Sequence, residues 1–218
     1  PNMLIAGVDT MALGAIASGV KFYSAYPMTP STGIMNYIAG KEAQYGIIVE
    51  QAEDEIAAIC AAIGASYAGG LGVTTTSGPG MALKTEAIGL STILEIPLLI
   101  IDIQRGGPST GLPTKTEQSD LMQAMYGRHG EGPLPVIAAS TPADCFNTVL
   151  EAARIAVEHI TPVIVLTDGY IANGSEPWRF PKAADLKPFK VNFATENNNP
   201  GGTFMPYKRD EKLSRPWV

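Results

Sequence analysis

Residues 98–103 read Leu-Leu-Ile-Ile-Asp-Ile, an apolar run with one carboxylate inside it. A run of this length without polar alternation is typical of a strand that is covered on both faces of a sheet. Residues 163–167, Val-Ile-Val-Leu-Thr, have the same character. Both runs are too short for a helix of average length, so we predict that they are strands of a sheet that is covered on both faces.

Similar short runs recur along the chain, separated by longer stretches with helical spacing. We predict strands at 3–6, 22–25, 47–49, 73–76, 98–103, 136–138 and 163–167. We predict helices at 10–18, 31–39, 52–67, 79–94 and 142–159. This alternation predicts an α/β fold with a doubly wound, mostly parallel sheet and helices on both faces. Ligands of such folds bind at the C-terminal ends of the strands, so we expect functional residues in the loops that follow them.

The periodic pattern ends near residue 171, where a polar, asparagine-rich stretch with many prolines begins. A chain of 218 residues has room for one sizeable core. We therefore expect one domain over residues 1–178. Residues 179–218, here called the C-terminal arm, are expected to form an extended arm or an interdomain linker.

Composition excludes several classes of function. The net charge of -6 and the pI of about 4.9 disfavour binding to nucleic acid, which requires clustered Lys and Arg. The richest apolar stretch, residues 94–103, is interrupted by Glu95, Pro97 and Asp102, so no membrane span is expected. Nothing resembles an export signal, and we expect a cytoplasmic protein. Cys60 and Cys145 lack the spacing of a disulfide framework or a metal site, so no metal is expected in this chain.

Three acidic residues, Glu53, Asp54 and Glu55, begin the predicted helix that follows the strand at 47–49. The helix dipole favours acids at this end, so these residues could simply be a solvated helix start. The spacing favours a functional interpretation. Glu55 is followed nine residues later by Gly64, and the next strand is followed by Ser-Gly-Pro-Gly at 77–80.

This pattern resembles the pyrimidine-binding domain of thiamine diphosphate enzymes, in which a glutamate at a helix start precedes a close-packing glycine and a Ser-Gly-Pro-Gly turn. Residues 26–32, Tyr-Pro-Met-Thr-Pro-Ser-Thr, are similar to the Tyr-Pro-Ile-Thr-Pro-Ser-Ser signature of 2-oxoacid:ferredoxin oxidoreductases. Residues 104–118, Gln-Arg-Gly-Gly-Pro-Ser-Thr-Gly-Leu-Pro-Thr-Lys-Thr-Glu-Gln, resemble the α-subunit signature of the 2-oxoglutarate branch. The resemblance covers most of residues 4–178, and Met28 in place of isoleucine is a minor departure.

The resemblance implies roles for individual residues. Glu55 would hydrogen-bond N1′ of the cofactor's aminopyrimidine, and the catalytic residues would be Glu55, Thr29 and Arg105. The implied cofactor contacts are Glu55, Pro27, Thr29, Ser77 and Gly78, and the implied substrate contacts are Thr29, Arg105, Ser109, Thr110 and Lys115. The residues alone leave blander alternatives open: Thr29 could be part of a rigid turn with a capping hydroxyl, and Arg105 could be a surface arginine.

The resemblance also implies a division of labour between subunits. A β subunit would bind the diphosphate, Mg²⁺ and a [4Fe-4S] cluster, in an αβ hetero-oligomer that oxidatively decarboxylates a 2-oxoacid, forms an acyl-CoA and reduces ferredoxin. Asp168-Gly169 only partly imitates the Mg²⁺ motif, because Thr167 stands where that motif has glycine. 2-Oxoglutarate is the expected substrate. Pyruvate, a branched-chain 2-oxoacid and a non-catalytic binding domain remain alternatives.

Overall fold

The computed structural model describes residues 2–218. The strands are β1 (Asn2–Ala6), β2 (Phe22–Ala25), β3 (Ile48–Gln51), β4 (Gly72–Thr76), β5 (Leu98–Gln104), β6 (Val136–Ala138), β7 (Pro162–Asp168) and β8 (Ser175–Arg179). The α-helices are α1 (Gly7–Ala17), α2 (Thr32–Ala39), α3 (Glu42–Tyr45), α4 (Glu55–Tyr67), α5 (Gly78–Ile93), α6 (Leu121–Tyr126), α7 (Asp144–His159) and α8 (Gly169–Asn173).

Six of the strands form one parallel sheet in the order β3-β2-β4-β5-β7-β6. The apolar run at 98–103, predicted as a strand, lies inside the sheet, where it pairs with β4 on one side and β7 on the other. Alternate residues of β5 enter two different cores: Leu99 and Ile101 pack on one face of the sheet, and Leu98 and Ile100 on the other. This two-sided burial confirms the doubly wound α/β prediction.

The first strand does not join this sheet. β1 pairs antiparallel with β8, a strand that was not predicted, and together they form a separate two-stranded sheet. Tertiary packing explains the pairing, because Trp178 of β8 is buried against Ile5 of β1 and Phe146 of α7. The helices α3, α6 and α8 were not predicted either. Helices of this length span less than two turns and show no helical period in the sequence.

The C-terminal arm packs on its own domain, at the N-terminal end of the central strands. Arg209 and Arg215 both form ion pairs with Glu95, which lies just before β5. The indole nitrogen of Trp217 donates to the carbonyl oxygen of Val157 at 3.0 Å. β8 spans the predicted domain boundary at residue 178, and the division into two units stays a prediction. No helix within residues 2–218 combines the length and apolarity that crossing a membrane requires.

Candidate active site

The loops after β2, β4 and β5 and the start of α4 meet at the C-terminal edge of the parallel sheet, where the fold predicts a ligand site. Glu55 is the first residue of α4 and is only 7 % exposed. The preceding residue, Asp54, has extended backbone and its Oδ1 accepts the N–H of Ala57 at 2.7 Å, which is a standard N-cap. The two neighbouring acids therefore differ: Asp54 begins the helix, and Glu55 is directed into the protein.

The Glu55 side chain packs where the predicted Ser-Gly-Pro-Gly turn meets the loop after β2. A Cβ atom added to Gly80 would lie 2.0 Å from Thr76 Oγ1, 3.0 Å from Glu55 Cγ and 3.3 Å from Met28 Cε. Only glycine fits at position 80, because the first of these distances would be a severe clash. The structure thus brings Glu55 and Met28, from two separate predicted motifs, to one point.

Ser77 and Gly78, which were predicted to contact the cofactor, are both buried, Ser77 at 0 % exposure. The main-chain carbonyl of Ser77 accepts the N–H groups of Gly80 and Met81, so this residue begins α5 from inside the domain. Direct contact of the cofactor with these two residues stays a prediction. Pro27 is half-buried and Thr29 is exposed in the loop after β2.

Arg105 follows β5 and connects two loops. Its Nη1 donates to the carbonyl oxygen of Thr29 at 2.7 Å, and its Nη2 donates to that of Thr110 at 2.8 Å. The side chain is therefore not a lone surface arginine. A guanidinium has five N–H donors, so three remain after these two bonds, and the Nε of Arg105 is buried without an acceptor in residues 2–218.

A cavity of about 310 Å³ lies beside this arginine, between the loop after β2, the loop after β5 and α8. Its lining includes three of the predicted substrate contacts, Thr29, Arg105 and Lys115. Thr110 is connected to this cavity because its main-chain carbonyl accepts a hydrogen bond from Arg105. Ser109 is exposed in the same loop, with a φ of 58°.

A larger cavity of about 650 Å³ lies next to α6 and the loop at 127–135, and it contains none of the predicted site residues. Its side is held by Arg128, whose guanidinium donates to the carbonyl oxygens of Ala124, Met125 and Gly132. These three hydrogen bonds cap the C-terminal end of α6 and hold the loop at 127–135 in place, so Arg128 has a structural role here. We therefore take the strand ends around Glu55 and Arg105, where buried charge and fold geometry coincide, as the candidate site.

Three buried ionisable residues near the site were not predicted. Lys84 of α5 is 0 % exposed, and its Nζ donates to the carbonyl oxygen of Glu55 at 2.7 Å. Its spacing with Met81, Ile88 and Ser91 on the buried face of α5 is the sequence signal that could have identified it.

Asp102, in β5, and Asp120, before α6, form the second unpredicted feature. Both oxygens of Asp102 and Oδ2 of Asp120 have no donor within residues 2–218. Burial first, and the facing Asp120 second, raise the pKa of Asp102 well above its ordinary value. Burial also raises the pKa of Asp120. A Cβ on Gly78 would lie 2.8 Å from both Asp120 oxygens, so this acid pair lies against the start of α5.

The residues present fit the pyrimidine end of thiamine diphosphate. Glu55 offers a nearly buried carboxyl, and Met28 and Pro27 offer apolar surface for a flat ring beside it. Asp168, the partial Mg²⁺ motif, is used differently: its Oδ1 accepts the N–H groups of Tyr170 and Ile171 and begins α8. Within residues 2–218 no group of three His, Cys, Asp or Glu side chains is arranged to hold a metal.

Comparison with known proteins identifies the family to which the chain is similar. The family model for pyruvate flavodoxin/ferredoxin oxidoreductase, thiamine diphosphate-binding, matches residues 13–213. The 2-oxoglutarate oxidoreductase subunit KorA of Mycobacterium tuberculosis is 54% identical over 220 residues, covering 98% of this chain and 33% of that protein. The 2-oxoglutarate synthase subunit KorA of Methanothermobacter marburgensis is 40% identical over 204 residues, covering 94% of this chain and 53% of that protein.

The structural comparison gives the same result. The 2-oxoglutarate:ferredoxin oxidoreductase from Magnetococcus marinus, solved with 2-oxoglutarate, coenzyme A and succinyl-CoA bound, matches 100% of this chain and 37% of its own with a TM-score of 0.94 and 40% identity. The chain thus spans between a third and about half of the length of these relatives. This chain belongs to the family of thiamine diphosphate-binding domains of pyruvate flavodoxin/ferredoxin oxidoreductases.

Proposed function

We propose that this chain is the pyrimidine-binding part of the α subunit of a cytoplasmic 2-oxoglutarate:ferredoxin oxidoreductase. The observation that carries the proposal is the meeting of Glu55 with Met28 and Gly80 at the C-terminal edge of the sheet. A carboxyl that is nearly buried at a helix start, next to apolar surface, suits a hydrogen bond to a ring nitrogen better than it suits solvent. The identity to KorA subunits supports the same function.

The residues of this chain would bind and orient the cofactor and the substrate. When bound, thiamine diphosphate supplies the electron sink for decarboxylation of a 2-oxoacid, which is chemistry that no protein side chain provides. Glu55 would hold the proton of pyrimidine N1′, and Thr29 would face the reacting group of the substrate. Arg105 would hold the two loops around the substrate through its bonds to Thr29 and Thr110. Its remaining N–H groups would be available to a carboxylate.

The cavity beside Arg105 favours a dicarboxylic substrate. Arg105 and Lys115 both line it, so it offers two cationic groups. 2-Oxoglutarate has two carboxylates, and pyruvate has one. With pyruvate or a branched-chain 2-oxoacid, the second cation in the cavity would have no carboxylate to pair with. This supports the 2-oxoglutarate assignment over those alternatives.

A partner subunit would complete the site. The outer faces of α4 and α5 expose large apolar side chains along their length, from Ile56 (51%) and Leu83 (53%) to Tyr67 (76%) and Ile93 (77%) at the C-terminal ends of the two helices. Exposed apolar groups clustered on neighbouring helices are typical of a protein interface. We propose that a β subunit covers this face and supplies the diphosphate and Mg²⁺ site and a [4Fe-4S] cluster. The electrons would pass from there to ferredoxin, and coenzyme A would accept the acyl group.

The test is purification from the native host through a tag on this chain, followed by an assay of 2-oxoglutarate- and CoA-dependent reduction of an artificial electron acceptor. Glu55→Gln should reduce the rate at least about 100-fold, the scale for loss of a group that acts in proton transfer. Glu53→Gln is the matched control, because Glu53 is exposed in the same turn, and it should keep the rate. Full activity of Glu55→Gln would contradict the proposed contact of Glu55 with the cofactor. Recovery of the chain without a partner would favour the binding-domain alternative.

A further inference from the structure

Lys84 is a buried lysine whose ammonium group contacts the backbone of Glu55, the residue proposed to act on the cofactor. It lies in α5 with 0 % exposure. Its one hydrogen bond within residues 2–218 joins Nζ to the main-chain carbonyl oxygen of Glu55 over 2.7 Å. An ammonium group has three donors, so this environment satisfies it only in part.

Folding stability does not explain this lysine. Removal of an ammonium group from water costs several kcal/mol even after the protein relaxes around it. The start of α4 adds a second unfavourable contribution, because the N-terminal end of a helix carries partial positive charge. Burial accordingly lowers the pKa of Lys84 to about 8. An apolar side chain of similar length, such as methionine, would avoid both contributions, so a functional reason is needed.

The charged and titratable groups that face Lys84 identify that reason. They are Glu55 and Cys60 of α4 and Asp54, which caps that helix, and Glu55 makes the largest of their contributions. Asp54 is exposed and its carboxylate already caps α4, and Cys60 is exposed as well. Glu55 is the buried member of the three, where water cannot screen the interaction with the ammonium group.

We propose that Lys84 is a positioning residue for Glu55. It fixes the first turn of α4 through the Glu55 carbonyl, and it places a positive charge beside the carboxylate that is to hydrogen-bond the ring nitrogen of the cofactor. This inference rests on the proposed function, in which Glu55 contacts pyrimidine N1′. It assigns Lys84 no contact with the cofactor or the substrate.

The experiment measures whether Lys84 acts through that one contact. Apo-enzyme, assembled with its partner chains, is titrated by calorimetry with thiamine diphosphate and with an analogue in which N1′ is replaced by C–H. Lys84→Met should weaken binding of thiamine diphosphate about tenfold, the size of one hydrogen bond to a charged group. It should leave binding of the analogue within about twofold of the unmodified enzyme, because the analogue cannot use Glu55.

Activity and stability are measured on the same samples. We expect Lys84→Met to lower kcat about tenfold. The thermal midpoint should be unchanged or higher, because the substitution removes a buried charge. Lys182→Met, an exposed lysine of the C-terminal arm, is the control and should change none of these quantities. Lys84→Arg, which keeps the charge, should bind thiamine diphosphate more tightly than the neutral Lys84→Gln.

Several results would overturn the inference. Equal loss of affinity for thiamine diphosphate and the analogue, with a lower thermal midpoint, would mean that Lys84 only fills space. Equal binding by Lys84→Arg and Lys84→Gln would mean that its charge is irrelevant. Glu55→Gln, measured in parallel, separates the two proposals. If Glu55→Gln binds thiamine diphosphate and turns over substrate normally, the proposed role of Glu55 fails. If Glu55→Gln is impaired and Lys84→Met is normal, the role of Lys84 fails alone.

Discussion

Buried ionisable side chains are concentrated around β4, β5 and the starts of α4 and α5. Glu55, Lys84 and Asp102 are all at most 7 % exposed, and they lie next to the residues proposed to hold the cofactor. Each has an energetic cost that apolar residues would avoid, and such groups cluster at functional sites more often than elsewhere. The residue-level predictions therefore concern what these charges do to stability and to substrate choice.

The acid pair makes stability depend on pH. Because the pKa of Asp102 is raised on folding, the folded chain holds more protons than the unfolded chain above about pH 4, so stability falls as pH rises. Asp102→Asn keeps the shape and cannot ionise. We expect its free energy of unfolding to fall less than that of the unmodified chain between pH 4 and 8, in denaturant titrations. Asp185→Asn, exposed in the arm, is the control. Parallel pH curves for Asp102→Asn and the unmodified chain would contradict this prediction.

Lys115 tests the choice of substrate. Lys115→Met removes one of two cations from the cavity and should raise KM for 2-oxoglutarate about tenfold or more, the effect of a lost charge pair with a carboxylate. KM for pyruvate should stay within about twofold, since pyruvate has a single carboxylate. Steady-state rates of the assembled enzyme measure both, with Lys187→Met as a control on an exposed arm lysine. Equal increases for the two substrates would argue against the two-cation arrangement.

At the scale of elements, the close approach of α4 to β4 depends on a glycine that was not predicted. The resemblance suggested that Gly64 is the close-packing residue, yet a Cβ there would meet nothing within 4 Å in this chain. Gly64 instead lies on the exposed face of α4 that carries Ile56 and Tyr67. The close contact is at Gly72, where a Cβ would lie 2.2 Å from the carbonyl oxygen of Ala62.

The two glycines should therefore respond in opposite ways to alanine. Gly72→Ala forces the backbone of α4 away from β4 and should destabilise the chain by about 2 kcal/mol or more, measured by denaturant unfolding. Gly64→Ala should stabilise it by up to about 1 kcal/mol, because alanine is the better helix former. If the exposed face is the partner interface, Gly64→Ala should nevertheless weaken assembly with the β subunit. A destabilising Gly64→Ala would show that the helix face is packed within the chain.

At the scale of the whole molecule, the functional edge and the attachment of the C-terminal arm lie at opposite ends of the sheet. Glu95, before β5, binds two arginines of the arm, and its main-chain carbonyl accepts Nη2 of Arg215 at 2.7 Å. The site residues follow the C-terminal ends of β2, β4 and β5.

Glu95→Gln tests whether the ion pairs with Glu95 hold the arm against the domain. It removes both ion pairs, so limited proteolysis should cut residues 179–218 faster. The free energy of unfolding should change by less than about 1 kcal/mol, because partly exposed ion pairs contribute little. Glu211→Gln, exposed within the arm, is the matched control and should leave the cleavage rate unchanged. An unchanged cleavage pattern in Glu95→Gln would mean that Tyr207 and Trp217 hold the arm without the ion pairs.

The sequence by itself determined the layered α/β architecture, because short, mostly apolar runs such as 98–103 alternate along the chain with longer stretches of helical spacing. It also determined the loops of the proposed site, since local motifs such as Tyr-Pro-Met-Thr-Pro and Ser-Gly-Pro-Gly follow predicted strands. Residues 26–32 and 104–118 both follow predicted strands in this way.

Only the tertiary structure decided which residues of those loops meet. The pairing of β1 with β8, the burial of Lys84 beneath Glu55 and the Asp102–Asp120 pair all join residues far apart in the chain, and no local pattern encodes such contacts. The physical reason is that a residue's burial and partners are set by the packing of whole elements. A lysine on a surface has no desolvation cost, and Lys84 becomes a buried charge only because α5 packs against α4.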